Sequence, residues 1–132
     1  MANALNAIEV VTLFVEDLAA ARSFYREIFA REVIYEDKDS VLLKFGNLMI
    51  NLLKAQEAPE LIEPALVAGP AAGSRFLLTI NVADVNAVCA ELTRRGVKLL
   101  NGPIDRPWGR RTAAFADPAG HVWEVAQNLP TP

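Results

Sequence analysis

Two short stretches of the chain, VVTLFVEDL at residues 10–18 and LLTINVADV at residues 77–85, decide the fold. Each begins with a run of β-branched and other apolar residues, which predicts a strand. Each then reaches an aspartate, Asp17 or Asp84, a residue type that caps the N-terminus of a helix. The two stretches therefore predict the same strand-helix unit, repeated in the same register.

The segments after these two stretches repeat as well. Apolar residues at helical spacing predict one helix after Asp17 and another after Asp84, the second of them ended by Gly96. Runs of strand-forming residues then follow each helix. Strands are predicted at residues 10–15, 33–35, 41–45 and 48–53 in the first half, and at residues 76–82, 97–100, 111–116 and 122–126 in the second.

This order predicts an α+β fold built from two βαβββ modules. Module 1 covers residues 7–54 and module 2 covers residues 74–127. A segment at residues 55–73, rich in Ala, Pro and Glu, links them and is expected to hold one short helix near Leu61. Because neither module can cover both faces of its own sheet, we expect an incomplete, barrel-like sheet around a cleft, within one domain.

The composition excludes several classes of function. The 132 residues include one cysteine and one histidine, Cys89 and His121, which excludes an internal disulfide and most zinc, iron or Ser-His-Asp chemistry. The formal net charge is −3 and no basic stripe is present, so no nucleic-acid partner is expected. No apolar run is long enough for a membrane span, and no signal-peptide pattern opens the chain. We therefore expect a cytoplasmic protein.

Strand alternation predicts which side chains face the cleft. In the first strand of the second half, one alternate set is wholly apolar and is expected to pack against the helix: Phe76, Leu78, Ile80 and Val82. The intervening residues, with their counterparts on other strands, are expected to face the cleft and to contact a ligand. This second set comprises Val10, Thr12, Phe14, Asn51, Arg75, Leu77, Thr79 and Glu124.

Glu124 is the candidate catalytic residue of this set. A carboxylate that points into an enclosed concavity requires a partner or a chemical role. It could serve as a general base, as a metal ligand, or as an anionic contact for a cationic ligand. It could equally be a buried carboxylate paired with Arg75 or with another arginine of the cleft.

The loop at residues 106–111 is the second candidate for ligand binding. Trp108 could form an aromatic wall at the edge of the cleft, and Arg110 could recognise a carboxylate or a phosphate. In the alternative interpretation, the loop folds on itself, with Trp108 packed under the rim and the arginines solvated.

Other conspicuous residues are predicted to be structural. Tyr25, Cys89 and Trp123 lie at core spacing on their predicted helices or strand. His121 follows a glycine at the exit of the last hairpin, where it is expected to hydrogen-bond to the backbone of the turn.

The doubled βαβββ pattern resembles the vicinal oxygen chelate superfamily, which includes glyoxalase I, extradiol dioxygenases, fosfomycin-resistance enzymes and bleomycin-resistance binding proteins. Besides the two opening stretches, PWG at residues 107–109 and DPAGHVWE at residues 117–124 carry the resemblance, which covers residues 7–127. It implies the glyoxalase/bleomycin-resistance fold and a homodimer.

The same resemblance implies four positions for metal ligands in metal-dependent members. In this sequence they are occupied by Val10, Asn51, Leu77 and Glu124. Aliphatic side chains donate no lone pair, and an asparagine with one carboxylate falls short of the usual three protein ligands. We therefore predict no metal cofactor, the alternative being a divalent metal.

Three functions follow as hypotheses. The first is a metal-free binding protein similar to the bleomycin-resistance branch, which holds a small organic molecule. The second is a metal-dependent, glyoxalase-like lyase or an extradiol-type dioxygenase. The third is a non-catalytic structural or regulatory dimer.

Overall fold

The computed structural model describes residues 4–131 and divides into two compact units, one ending at Ala68 and the other beginning at Gly69. Each unit holds a four-stranded sheet and one helix of ten residues. The short helix α2 (Pro59–Ile62) lies in the predicted linker, as expected.

The first unit contains one βαβββ module. Its sheet has the strand order β1-β4-β3-β2, in which β1 and β4 are parallel and the other pairs are antiparallel. Its elements are β1 (Val10–Val15), α1 (Leu18–Glu27), β2 (Glu32–Glu36), β3 (Ser40–Lys44) and β4 (Met49–Lys54).

The second unit repeats this topology with the strand order β5-β8-β7-β6, in which β5 and β8 are the parallel pair. The predicted doubled βαβββ fold is therefore confirmed. Its elements are β5 (Leu78–Asn81), α3 (Val85–Arg94), β6 (Leu99–Arg106), β7 (Arg110–Ala116) and β8 (Val122–Asn128).

Both helices begin at the predicted aspartates. The carboxylate of Asp17 accepts a hydrogen bond from the backbone N–H of Ala20, and that of Asp84 accepts one from Ala87, each at 3.0 Å. Such a bond satisfies one of the backbone donors that a helix leaves unpaired at its start. The two repeated aspartates are helix caps.

Helix α3 ends at Arg94, and the predicted glycine follows two residues later. Gly96 adopts a φ of +85°, and the N–H groups of Gly96 and Val97 bond back to the carbonyls of Thr93 and Leu92. In the last turns Glu91 accepts hydrogen bonds from Arg94 and Arg95, which lower its pKa to about 2.

The core of each unit lies between its helix and one face of its sheet. In the first unit Leu13, Leu52 and Tyr25 are almost completely buried. In the second, Phe115, Trp123 and Cys89 are buried, as the sequence predicted for the last two. Burial of the apolar side chains on this face is the main favourable term for each module.

The predicted strand at residues 76–82 is longer than the strand observed. Strand β5 begins at Leu78, and Phe76 and Leu77 are each 48% exposed. The partner strand explains the end of the pairing at Phe76: in this register Leu77 lies opposite Val122, the first residue of β8, so Phe76 has no residue of β8 opposite it. The expectation that Phe76 packs beneath the helix is therefore wrong.

Strand β6 extends beyond its predicted end, and the expected loop at residues 106–111 is shorter. Arg106 and Arg110 are paired positions of a β6–β7 hairpin, closed by the turn Pro107-Trp108-Gly109. None of the helices within residues 4–131 has the length and apolar character required to cross a lipid bilayer.

We predict that Gly102→Ala destabilises the protein far more than Gly96→Ala. Both glycines have a positive φ, so both variants carry backbone strain of about 1–2 kcal/mol. A Cβ at Gly102 would also collide with the backbone of Thr112 and Ala113 on β7, whereas the space around Gly96 is open. Such overpacking adds about 1–3 kcal/mol. Chemical denaturation of both variants measures the difference, and equal losses would contradict this account.

Candidate functional site

Helix α3 covers one face of the second sheet, and hydrogen bonds show which face it is. The side-chain oxygen of Gln127 on β8 accepts a bond of 2.9 Å from the backbone N–H of Val85, the first residue of α3. Because strand side chains alternate, Glu124, Ala126 and Asn128 point to the opposite face. We call this side of the second sheet the open face.

Cross-strand pairing identifies the other residues of the open face. Paired positions of neighbouring strands share a face, and the register of β8 with β5 and β7 is continuous. The set comprises Thr79 and Asn81 on β5, Val122, Glu124, Ala126 and Asn128 on β8, Arg110, Thr112, Ala114 and Ala116 on β7, and Asn101, Ile104 and Arg106 on β6.

Glu124 and Thr79 form a direct contact on the open face. They are paired positions, and the Thr79 hydroxyl donates a hydrogen bond of 3.0 Å to Oε1 of Glu124. This bond fixes the orientation of the carboxylate and leaves its second oxygen available to another donor. The predicted placement of both residues on one face agrees with this geometry.

The alternative interpretation of Glu124, a salt bridge with Arg75, is not realised among residues 4–131. Arg75 is exposed and precedes β5, so strand alternation does not apply to it. The same holds for Leu77, which was expected to line the cleft as a strand residue. The pairing of β5 with β8 begins at Leu78, so neither Arg75 nor Leu77 is held in the sheet by strand pairing.

The opposite end of the open face is basic. Arg106 and Arg110 are paired positions at the tip of the β6–β7 hairpin. The guanidinium of Arg106 donates to Oγ1 of Thr112 at 2.9 Å and to Oδ1 of Asn101 at 3.4 Å. It also lies 6.0 Å from the ring centroid of Trp108.

Trp108 does not occupy the second of its two predicted environments, because its side chain is 67% exposed at the hairpin turn and is not packed under a rim. Its predicted role as an aromatic wall at a ligand site stays a prediction. Sequence reasoning missed Arg106, because it treated residues 106–111 as a loop, and it did not select Asn101 or Thr112. Extending strand alternation through both arms of the hairpin would have placed Arg106 beside Arg110.

The first sheet also has a face that is not covered by its helix. Thr12 on β1, Asn51 on β4 and Leu42 on β3 are paired in register, so they share that face. By alternation, Val10 and Phe14 lie on the same side of β1 as Thr12. All four predicted ligand contacts of the first half, Val10, Thr12, Phe14 and Asn51, are half-buried.

The imidazole of His121 contacts a carboxylate and not the backbone of the turn. Its Nδ1 lies 2.9 Å from Oδ2 of Asp117, and its backbone N–H donates to Oδ1 of the same residue at 2.8 Å. Asp117 is 5% exposed and also accepts a hydrogen bond from the N–H of Ala119. The pair lies in the turn before β8, so His121 is in the predicted turn, but the predicted backbone partner is wrong: the ring contacts the carboxylate of Asp117.

Cys89 offers no reactive thiol. It lies on the buried side of α3, and burial raises the pKa of its thiol. A raised pKa reduces the fraction of thiolate, the nucleophilic and metal-binding form.

The residues at the four metal positions of the resemblance do not fit a metal ion. Val10 and Leu77 are aliphatic, Asn51 is a neutral amide, and Glu124 already accepts a hydrogen bond from Thr79. Within residues 4–131, no three His, Cys, Asp or Glu side chains are grouped so that they could hold a metal. No step of a mechanism is therefore assigned to a metal.

Comparisons with known proteins agree with this fold. A family model described as Glyoxalase/Bleomycin resistance protein/Dioxygenase superfamily matches residues 7–125. The chain is 30% identical to "Uncharacterized protein YraH" of Bacillus subtilis over 124 residues, which are 90% of this chain and 96% of YraH.

Two solved structures extend the comparison. One is a lactoylglutathione lyase from Agrobacterium tumefaciens, with a TM-score of 0.75, 25% identity, and coverage of 92% of this chain and 93% of the lyase. The other is TnmS3, an antibiotic binding protein from Streptomyces sp. CB03234, with a TM-score of 0.72, 26% identity, and coverage of 95% and 98%. Given the extent of the family match, the chain belongs to the Glyoxalase/Bleomycin resistance protein/Dioxygenase superfamily.

Proposed function

We propose that the protein binds a small organic molecule on the open face of the second sheet and that it does so without a metal. The observation that carries the proposal is the Glu124–Thr79 pair, a carboxylate held in a fixed orientation on a face that the helix leaves uncovered. Ligand sites typically combine a few oriented polar groups with apolar surface.

The residues beside Glu124 support this proposal. Ala114 is its paired position on β7, and Ala126 follows two residues later on the same side of β8. Both alanines are buried, whereas Thr79 is exposed and Glu124 is half-buried, so the hydroxyl and the carboxylate are the groups within reach of a ligand. The free oxygen of Glu124 would then accept a hydrogen bond from a hydroxyl, amine or cationic group of that ligand.

The chemistry of the chain favours binding over the metal-dependent reactions of the superfamily. Those reactions require several donor side chains, and Val10 and Leu77 supply none. Sequestration of a ligand requires only complementary contacts. The resemblance to TnmS3, an antibiotic binding protein, supports this function by analogy.

A lyase is the second candidate, because the chain also resembles a lactoylglutathione lyase at 25% identity. In a metal-free version, Glu124 would act as the proton acceptor, and its hydrogen bond with Thr79 would orient it.

Two further expectations stay proposals. The residues of the first sheet that are expected to contact a ligand are Val10, Thr12, Phe14 and Asn51, and the expected location of the protein is the cytoplasm.

Metal analysis separates the binding protein from a metal enzyme. We expect protein purified without chelator to contain far less than one equivalent of Zn, Ni, Mn or Fe by plasma mass spectrometry. Near-stoichiometric metal that is lost in Glu124→Ala and kept in Glu91→Ala would contradict the metal-free proposal. Glu91 is the control because its carboxylate is held by Arg94 and Arg95 on α3.

Ligand screening tests the role of Glu124. We expect at least one compound of a library of aromatic amines, alcohols and acids to change the tryptophan emission and to bind about 10-fold or more weakly to Glu124→Gln, because a hydrogen bond to a charged group is lost. Glu91→Gln should bind as the wild type does. Trp108→Phe should remove most of the signal, since Trp123 is buried. No response across the library would favour a structural module.

The oligomeric state is tested by light scattering coupled to size exclusion. From the resemblance we expect a homodimer, with twice the mass of one 14.4 kDa chain. A mass of one chain at all concentrations would refute this expectation and leave the ligand proposal standing.

A further inference from the structure

Two arginines face each other at the basic end of the open face. Arg106 on β6 and Arg110 on β7 are paired positions, so their side chains leave the sheet side by side. Like charges directly opposite each other destabilise a sheet. This arrangement requires a counter-charge.

The described carboxylates do not supply that charge. Asp105 pairs with Arg111 at 2.6 Å on the side of α3, and neither Arg106 nor Arg110 forms an ion pair within residues 4–131. Glu124 lies on the open face but four residues along β8 from Asn128, the position paired with Arg110. At about 3.3 Å per residue, this separation is roughly 13 Å.

The guanidinium of Arg110 also has an unused donor. Its Nε is buried and has no hydrogen-bond acceptor among the described residues. A buried donor that has lost water and gained no partner carries a free-energy cost. A hydrogen-bond acceptor supplied by a ligand would remove this free-energy cost.

The guanidinium of Arg106 is held in a fixed orientation by two neighbours. Its bonds to Thr112 and Asn101 use two of the five guanidinium donors, and they fix the plane of the group. The remaining donors form part of the fork that matches a carboxylate or a phosphate.

We propose that Arg106 and Arg110 together bind the oxyanion of an organic acid, a carboxylate or a phosphate, and that the rest of this ligand extends along β7 and β8 toward Glu124. The inference rests on the proposed function and specifies its ligand. The ligand would carry an acidic group at one end and, about 13 Å away, a hydroxyl or amine that reaches Glu124.

Three naphthalene compounds of matched shape test the acidic subsite by calorimetry: 1-naphthyl phosphate, 1-naphthoate and uncharged 1-naphthol. We expect the wild type to bind at least one of the two acids about 10-fold or more tightly than naphthol. Whichever acid binds more tightly identifies phosphate or carboxylate as the preferred oxyanion. Arg106→Gln and Arg110→Gln should each lose about 10-fold in affinity for that acid and leave naphthol binding unchanged.

Arg111→Gln is the matched control, because Arg111 neighbours Arg110 on β7 but points to the opposite face and pairs with Asp105. It should bind the acids as the wild type does. Equal losses in Arg111→Gln and Arg110→Gln would overturn the inference, since general positive charge would then explain binding. Equal affinity for naphthol and both acids, or no binding of either acid, would overturn it as well.

A second measurement is independent of whether the glutamine variants fold fully. Inorganic phosphate should raise the Tm of the wild type above its value in chloride of equal ionic strength, and Arg110→Lys should reduce that increase. If phosphate does not raise the Tm above its value in chloride, the Arg106–Arg110 pair does not bind phosphate. The same measurement with sodium acetate tests the binding of a carboxylate. The library screen with Glu124→Gln is unaffected, so the proposed function is judged separately.

Discussion

The parallel pairing of the first and last strand in each module is the constraint on which the rest of the structure depends. β1 pairs with β4 and β5 pairs with β8, and each parallel partner is reached only after a helix has crossed one face of the sheet. The helix must bury its apolar side there, so the polar groups that could contact a ligand lie on the opposite face of the sheet. The position of Glu124 and of Arg110 follows from this assignment of faces.

Charged residues are distributed according to the same assignment. On the helix side, acids and bases are paired: Arg22 of α1 reaches Glu36 at 2.8 Å, and Arg111 reaches Asp105. On the open face of the second sheet, a neutral hydroxyl holds the carboxylate of Glu124, and neither Arg106 nor Arg110 forms an ion pair within the described residues. On the helix side, these charged groups find their partners within the chain. On the opposite face, the second oxygen of Glu124 and the Nε of Arg110 can still form hydrogen bonds with a ligand.

Sequence reasoning could predict the features that depend on local pattern. The aspartate caps, Gly96, the buried Trp123 and the order of strands follow from periodicity and residue type, and all are observed. It failed where the outcome depends on a partner strand. The apolar run from Phe76 predicts a longer strand than β5, because the start of β8 at Val122 cannot be read from that run. Arg106 was overlooked since a hairpin and a loop have the same local signature of proline and glycine there.

The repeated pairing has an evolutionary consequence. In both modules a threonine of the first strand faces a residue of the last strand, Thr12 opposite Asn51 and Thr79 opposite Glu124. The repeat thus provides two copies of one cross-strand pair, and the residue opposite the threonine differs between them: a neutral amide in one module and a carboxylate in the other. Each pair lies away from the helix of its own module, and none of the four residues belongs to the buried core. Such a protein can acquire a new ligand through one copy while the other copy is conserved.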